Sequence, residues 1–128
     1  MSTGLVGAEH AAIPAGGSVA VFGLGPVGLM AVAFARMLGA GLVIGVDSVA
    51  KRQDLARLYG ADEIVDHEKT DAVEAVRRLG GGAGVDSAIE ALGNPTTFAN
   101  CIRVTRPGGT ISNIGYHGHG DVVPVPRM

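Results

Sequence analysis

Three glycines with G-x-G-x-x-G spacing, Gly23, Gly25 and Gly28, are the residues whose pattern could support chemistry in this chain. They follow a short apolar run at 18–22 and precede an apolar segment of helical length that begins at Pro26. In a dinucleotide-binding turn the first glycine permits a sharp turn, the second lets a pyrophosphate approach the backbone, and the third lets helix and strand pack closely. Free N–H groups at the helix start then bind the phosphates. The pattern therefore predicts a dinucleotide site.

An acidic residue strengthens this prediction. A second apolar run, 42–46, ends in Asp47, which lies about 20 residues beyond Gly28, the spacing at which a carboxylate binds the adenosine ribose. The glycine spacing alone is weak, because the chain contains 21 glycines and a turn in another α/β protein would show it too. The combination of strand, helix and acidic residue favours the dinucleotide site.

The composition excludes several classes of protein. The 128 residues are typical of one domain, and the formal charge of −2, with no basic run longer than two residues, argues against binding to nucleic acid. No apolar stretch is long enough to predict a membrane span. The single cysteine, Cys101, excludes an internal disulfide and favours a reducing compartment, so we expect a cytoplasmic protein.

Apolar runs and turn residues predict ten elements that position these residues. Ser48 and Asn94 are predicted helix N-caps, and residues Leu55, Leu58 and Tyr59 are predicted to form the inner face of one helix. The predicted elements are helix 2–12, strand 18–22, helix 26–38, strand 42–47, helix 49–59, strand 63–66, helix 71–79, strand 85–92, helix 95–106 and strand 110–116.

Strands and helices alternate along the chain, and the strands are continuous apolar runs, which indicates a parallel sheet covered on both faces. Right-handed crossovers give the strand order 3-2-1-4-5, so we expect a Rossmann-type, doubly wound, three-layer α/β/α fold. A ligand should lie across the carboxyl ends of the first and fourth strands. The tail 121–126 can add only an edge strand, because Pro124 and Pro126 cannot donate hydrogen bonds to a neighbouring strand.

Several motifs resemble the cofactor domain of zinc-dependent, medium-chain alcohol dehydrogenases. They are V-F-G-L-G-P-V-G at 21–28, L-Y-G-A-D at 58–62, G-V-D at 84–86 and R-P-G-G at 106–109. The segment I-S-N-I-G-Y-H-G at 111–118 most resembles the bacterial secondary-alcohol branch. The resemblance extends over nearly all of the chain and implies that residues 1–128 form the dinucleotide-binding domain.

The resemblance implies a cofactor, NAD, and a set of residues that contact it. Zinc is implied only in a catalytic domain mostly upstream of Met1, so neither a catalytic residue nor a metal ligand is expected within this chain. The whole enzyme is expected to oxidise a small secondary alcohol and to form a homo-oligomer. The implied contacts are Gly23, Gly25, Pro26, Val27 and Gly28 at the pyrophosphate, Asp47 and Arg52 at the ribose, and Leu92, Gly93, Ile114, Gly115, Tyr116 and Thr3 near the nicotinamide half.

Two classes of function stay open at this point. The first is the cofactor half of an NAD-dependent alcohol dehydrogenase, which alone would turn over no alcohol. The second is a stand-alone module that binds or senses NAD(H) without chemistry.

Some single residues also stay open. His117 and His119 with Asp121 could suggest a metal site, but a glycine-rich loop explains them more simply, since zinc needs three or four convergent ligands. Glu90 lies either near the cofactor cleft or paired at the sheet edge. Cys101 is expected in the core, because no base is placed beside it.

Overall fold

The computed structural model describes residues 3–115 of the chain, in which five helices and five strands alternate. Most element bounds lie within two residues of the predicted ones. The elements are α1 (Thr3–His10), β1 (Ser18–Phe22), α2 (Pro26–Met37), β2 (Leu42–Val46), α3 (Ala50–Tyr59), β3 (Glu63–Val65), α4 (Ala72–Leu79), β4 (Val85–Glu90), α5 (Pro95–Val104) and β5 (Thr105–Asn113).

All five strands pair in parallel, in the order β3-β2-β1-β4-β5. Phe22, the last residue of β1, pairs with Val46 of β2 on one side and with Glu90 of β4 on the other. The carboxyl ends of the three central strands are therefore level with one another. This arrangement confirms the predicted Rossmann-type fold, whereas the predicted edge strand in 121–126 lies outside the described residues.

Two apolar layers cover the sheet, which explains why its central strands carry apolar residues in succession. One core cluster joins the sheet to α1, α2 and α3, and includes Val21, Ala31 and Ile89. The other joins the opposite face to α4 and α5, and includes Ala20 and Val104. The result is the expected three-layer α/β/α architecture.

The predicted inner face of α3 is wrong. Leu55, Leu58 and Tyr59 are exposed, and Leu58 retains 78% of its surface. Ala56 is instead fully buried in the core. The helix is rotated so that Gln53 also faces inward, where its amide donates a hydrogen bond of 2.7 Å to the backbone carbonyl of Asp47.

The predicted boundary between the last helix and the last strand is also wrong. Helix α5 ends at Val104, and β5 begins at Thr105 rather than at residue 110. Thr105 pairs with Val85, while Thr110 pairs with Ser87, so an irregularity in β5 accommodates the segment 106–109. The R-P-G-G motif therefore lies within the strand instead of ending the helix.

Within residues 3–115, no helix combines the length and the apolar character needed to cross a membrane.

Candidate cofactor site

A cleft of about 700 Å³ opens where β1, β2 and β4 end. Its size falls in the range of small-molecule sites, and it lies where the strand order reverses, between β1 and β4, which is where ligands bind in open α/β sheets. The lining includes Phe22, Gly23, Val46, Asp47, Ser48, Val49, Arg52, His67, Thr70, Asp71, Leu92, Asn94, Thr96, Thr97 and Asn100.

The glycine turn connects β1 to α2 at this edge. Gly23 has a φ of +96°, a conformation that favours glycine, and its N–H donates to the Val46 carbonyl at 3.0 Å. A Cβ on Gly28 would overlap the Gly23 carbonyl oxygen, so the helix start and the strand end approach as closely as predicted.

The start of α2 is suited to an anion. Gly25 is the N-cap residue, no side chain caps the helix, and Pro26 occupies the first turn. A Cβ built on Gly25 meets no atom within 4 Å, so space lies in front of this backbone. The N–H groups of the first turn and the helix dipole favour negative charge there, and these features fit a pyrophosphate.

Asp47 lies at the floor of the cleft at the end of β2, with only 5% of its surface exposed. Its Oδ2 accepts a hydrogen bond from the Leu24 N–H at 2.8 Å, and its Oδ1 accepts one from the Val49 N–H at 2.9 Å. Arg52 Nη1 lies 3.6 Å from Oδ2. A carboxylate has about four acceptor positions, so both oxygens retain capacity for ribose hydroxyls.

The same geometry corrects the predicted N-cap of α3. The helix begins at Ala50, its N-cap residue is Val49, and no side chain caps it. Ser48 is therefore not the cap. The Asp47 carboxylate receives the Val49 N–H instead, because it lies directly beneath the turn that leads into the helix.

The adenosine end of the cleft is held by contacts that the sequence analysis missed. Besides its bond to Asp47, the Gln53 amide donates to Asp66 Oδ2 at 3.3 Å and so links the ends of β2 and β3. The Glu68 N–H is the main cause of a lowered pKa of the Asp66 carboxyl. His67 follows in this loop and lines the cleft. The sequence signal that could have identified Gln53 is its position three residues before Ala56, which places both residues on one face of α3.

Leu92, after β4, lines the opposite end of the cleft, and the backbone after β5 contacts the end of β4. Leu92 is half exposed in the lining, and the Ala91 N–H donates to the Phe22 carbonyl at 2.8 Å. The N–H groups of Ile114 and Gly115 both donate to the Glu90 carbonyl at 2.9 Å. The structure thus brings the segments predicted to flank the nicotinamide against one another.

Helix α5 contributes a polar wall that the sequence analysis also missed. Asn94 is confirmed as its N-cap, since its side chain accepts the Thr97 N–H at 2.8 Å. Thr96, Thr97 and Asn100 line the cleft. Their spacing of three and four residues, which places side chains on one helical face, was the signal that could have found them.

Several other predicted contact residues are not part of the cleft lining. Pro26 and Val27 are exposed at the start of α2. Thr3 is exposed at the start of α1, where the next residue, Gly4, packs against Met30. Tyr116 lies outside the described residues. Cofactor contact by any of the predicted residues stays a prediction.

Neither Cys101 nor a metal cluster contributes to the cleft in the described part of the chain. Cys101 is fully buried, and burial raises the pKa of its thiol well above the usual range. Residues 3–115 contain no group of three or more His, Cys, Asp or Glu side chains that could hold a metal ion. His117, His119 and Asp121 lie outside them.

The chain is similar in sequence to a known family of dehydrogenases. The sequence profile of the zinc-binding dehydrogenase family matches residues 26–128. The chain belongs to this family. The match confirms the predicted resemblance and supports the assignment of the chain as an NAD(P)-binding domain.

Individual relatives agree with the family match. The NADP-dependent isopropanol dehydrogenase of Thermoanaerobacter brockii is 48% identical over all 128 residues, which cover 36% of that protein. An alcohol dehydrogenase from Thermus sp. ATN1 superposes with a TM-score of 0.90 at 32% identity, over 98% of this chain and 37% of that one. A putative zinc-binding dehydrogenase from Sinorhizobium meliloti, bound to NADP, gives a TM-score of 0.89 at 35% identity, over 97% and 37%.

The chain thus spans about a third of the length of these relatives. All three are dehydrogenases by name, so a stand-alone binding module is not favoured.

Proposed function

We propose that the chain is the NAD-binding domain of a zinc-dependent alcohol dehydrogenase that oxidises a small secondary alcohol. The family match supports the dinucleotide and the dehydrogenase class. The alcohol is proposed from the T. brockii relative, whose name specifies isopropanol. When bound, the nicotinamide ring would accept a hydride from the carbinol carbon.

Three parts of the site bind different parts of the cofactor. The uncapped start of α2 binds the pyrophosphate through backbone N–H groups. Asp47 accepts hydrogen bonds from the ribose hydroxyls, and Arg52 lies beside it at the rim. The backbone after β4 and β5 orients the nicotinamide half. The zinc ligands lie in the rest of the whole protein, so residues 3–115 take no part in a metal-dependent step. The whole protein is a homo-oligomer.

Asp47 is the observation that carries the choice of NAD over NADP. The T. brockii relative is named as NADP-dependent and the S. meliloti structure contains NADP, so the family accommodates both cofactors. In this chain a carboxylate with 5% exposure lies at the end of β2. A 2′-phosphate there would replace a donated hydrogen bond with repulsion between two anions, at a cost of about 1–3 kcal/mol. Arg52 is 45% exposed and can offset only part of this cost.

Calorimetric titration with NAD and NADP tests the cofactor choice. We expect NAD to bind about 5- to 150-fold more tightly, the ratio that corresponds to the estimated difference in free energy. Asp47→Gly should reduce the preference to about threefold or less, chiefly by improving NADP binding. Asp54→Asn is the matched control, because it removes the same charge from an exposed position on α3. Equal or tighter binding of NADP by the unmodified chain would refute the role of Asp47.

The proposed reaction is tested with the whole protein that contains this chain. We expect it to reduce NAD with propan-2-ol and to lose that activity when zinc is removed by a chelator. The 128-residue chain alone should bind NAD and produce no NADH from the same alcohol. Zinc-dependent NADH formation by the 128-residue chain would contradict the assignment of this chain to cofactor binding alone.

A further inference from the structure

We propose that Glu90 is a positioning residue that holds the nicotinamide end of the cleft in shape. The inference rests on the proposed function, because that function places the nicotinamide half beside the segments after β4 and β5. Glu90 is the last residue of β4, and none of its surface is exposed. It follows Ala88 and Ile89, both fully buried and apolar. A carboxylate in this position costs free energy unless it is hydrogen-bonded.

The side chain of Glu90 binds the loop that follows its own strand. Its Oε1 accepts hydrogen bonds from the N–H groups of Leu92 and Gly93, each at 2.7 Å. Both distances are short for N–H donors and are typical of bonds to a charged acceptor. Gly93 has a φ of +90°, so the chain turns sharply at this carboxylate.

The backbone of Glu90 binds the second loop. Its carbonyl oxygen accepts the N–H groups of both Ile114 and Gly115 at 2.9 Å. A single residue therefore connects the two segments predicted to flank the nicotinamide. An apolar residue would keep the carbonyl contacts to Ile114 and Gly115 but would lose the side-chain contacts to the loop after β4. The carboxylate thus controls the position of the β4 loop relative to the β5 loop.

The effect of this contact should be confined to one half of the cofactor. Asp47 directly follows β2 and Glu90 is the last residue of β4, with β1 between these two strands. Two steps between neighbouring strands separate these sites by about 10 Å across the sheet. The Glu90 carboxylate binds the N–H groups of Leu92 and Gly93, whereas the Asp47 carboxylate binds those of Leu24 and Val49. Loss of the carboxylate should therefore weaken binding of the nicotinamide half and leave binding of the adenosine half unchanged.

The experiment compares NADH with ADP-ribose, which retains the adenosine and pyrophosphate but lacks the nicotinamide. The dissociation constants of both are measured for the unmodified chain, Glu90→Leu and Glu90→Gln, together with the fluorescence emission of bound NADH. For Glu90→Leu we expect NADH affinity to fall about tenfold, since two backbone N–H groups of the turn lose their charged acceptor, and ADP-ribose affinity to change less than about twofold. The emission shift of bound NADH should decrease. Glu90→Gln retains an acceptor oxygen and should restore both readouts in part.

Two further variants keep the test decisive. Ser87→Ala is the matched control, because it removes a buried hydrogen bond from β4, to the Ala11 carbonyl, at the other side of the strand. Gly93→Ala places a side chain at a positive φ in the same turn and should reproduce the selective loss of NADH binding if Glu90→Leu does not fold.

The outcomes separate the two proposals. The inference about Glu90 is wrong, and the proposed function stands, if the unmodified chain binds both ligands and Glu90→Leu either lowers both affinities equally or changes neither. If the unmodified chain binds neither ligand, the proposed function fails and the inference fails with it.

Discussion

Replacing Asp86 with asparagine should destabilise the fold without changing cofactor affinity. Asp86 lies near the start of β4, at the sheet edge opposite the cleft. Its Oδ1 accepts a 2.6 Å hydrogen bond from Arg106 Nε, and its Oδ2 accepts a 2.9 Å bond from the Ser18 N–H. The carboxylate thereby ties the starts of β1 and β4 to β5. Asparagine has the same shape but presents an NH₂ group to one of these two donors.

The expected magnitude follows from the geometry and exposure. A hydrogen bond to a charged group contributes about 1.5–3 kcal/mol, whereas an exposed ion pair contributes about 0–1 kcal/mol. The side chains of Asp86 and Arg106 are 28% and 38% exposed, so we take a value between these ranges. Asp86→Asn should lower the free energy of unfolding by about 1–2 kcal/mol, which corresponds to about 4–8 °C in Tm for a chain of this size.

The pH dependence of this loss has a definite sign. The side-chain hydrogen bond from Arg106 is the main cause of a lowered pKa of Asp86 in the folded state. The unfolded chain therefore binds more protons at this group, and its contribution to stability rises with pH. That contribution is fully present above the pKa of an unfolded Asp, about 3.9, and is lost as the pH falls through the lower folded pKa. The Tm difference between the unmodified chain and Asp86→Asn should therefore shrink below about pH 4.

Thermal unfolding followed by circular dichroism between pH 3 and pH 7 measures this difference. Asp54→Asn is the control, because Asp54 pairs with Arg57 at 3.3 Å on the surface with 78% exposure, and we expect no change in Tm beyond about 1 °C. The reasoning is refuted if Asp86→Asn behaves like Asp54→Asn, or if its Tm deficit is as large at pH 3 as at pH 7. A matching loss of NAD affinity would refute the separation of the two sheet edges.

Two further predictions concern the glycine turn and the thiol. Gly28→Ala should lower the free energy of unfolding by about 1–3 kcal/mol in urea unfolding, because its Cβ would overlap the Gly23 carbonyl. Gly25→Ala should leave the free energy of unfolding unchanged and weaken NAD binding, because its Cβ would enter only the space in front of α2. Cys101 should resist iodoacetamide in the folded chain and react fully in denaturant, as judged by mass spectrometry, since burial both shields the thiol and raises its pKa; rapid labelling of the folded chain would contradict this burial.

Local sequence patterns were sufficient to predict most of the fold. Alternating apolar runs and turn residues predicted the strand order, because each parallel strand must be apolar on both faces and each crossover has one hand. The glycine spacing and Asp47 predicted one edge of the sheet as the site. These signals lie within a few residues of one another in the sequence, or at a spacing that the βαβ unit sets.

Long-range contacts decided what the sequence left open or predicted wrongly. The rotation of α3, with Ala56 inward and Leu58 outward, depends on where the Gln53 amide finds its acceptors at the ends of β2 and β3. The early start of β5 depends on the pairing of Thr105 with Val85 of β4, which lies 20 residues earlier in the sequence.

Glu90 shows the same division most clearly. From the sequence, a carboxylate within an apolar strand was compatible with the cleft or with the sheet edge. Only the fold places the N–H groups of two separate loops around that one residue, with the side chain bound to 92 and 93 and the carbonyl bound to 114 and 115. Periodicity along the chain reports which face of an element is buried, but the partners of a buried polar group come from other elements, and tertiary packing alone brings them within hydrogen-bonding distance.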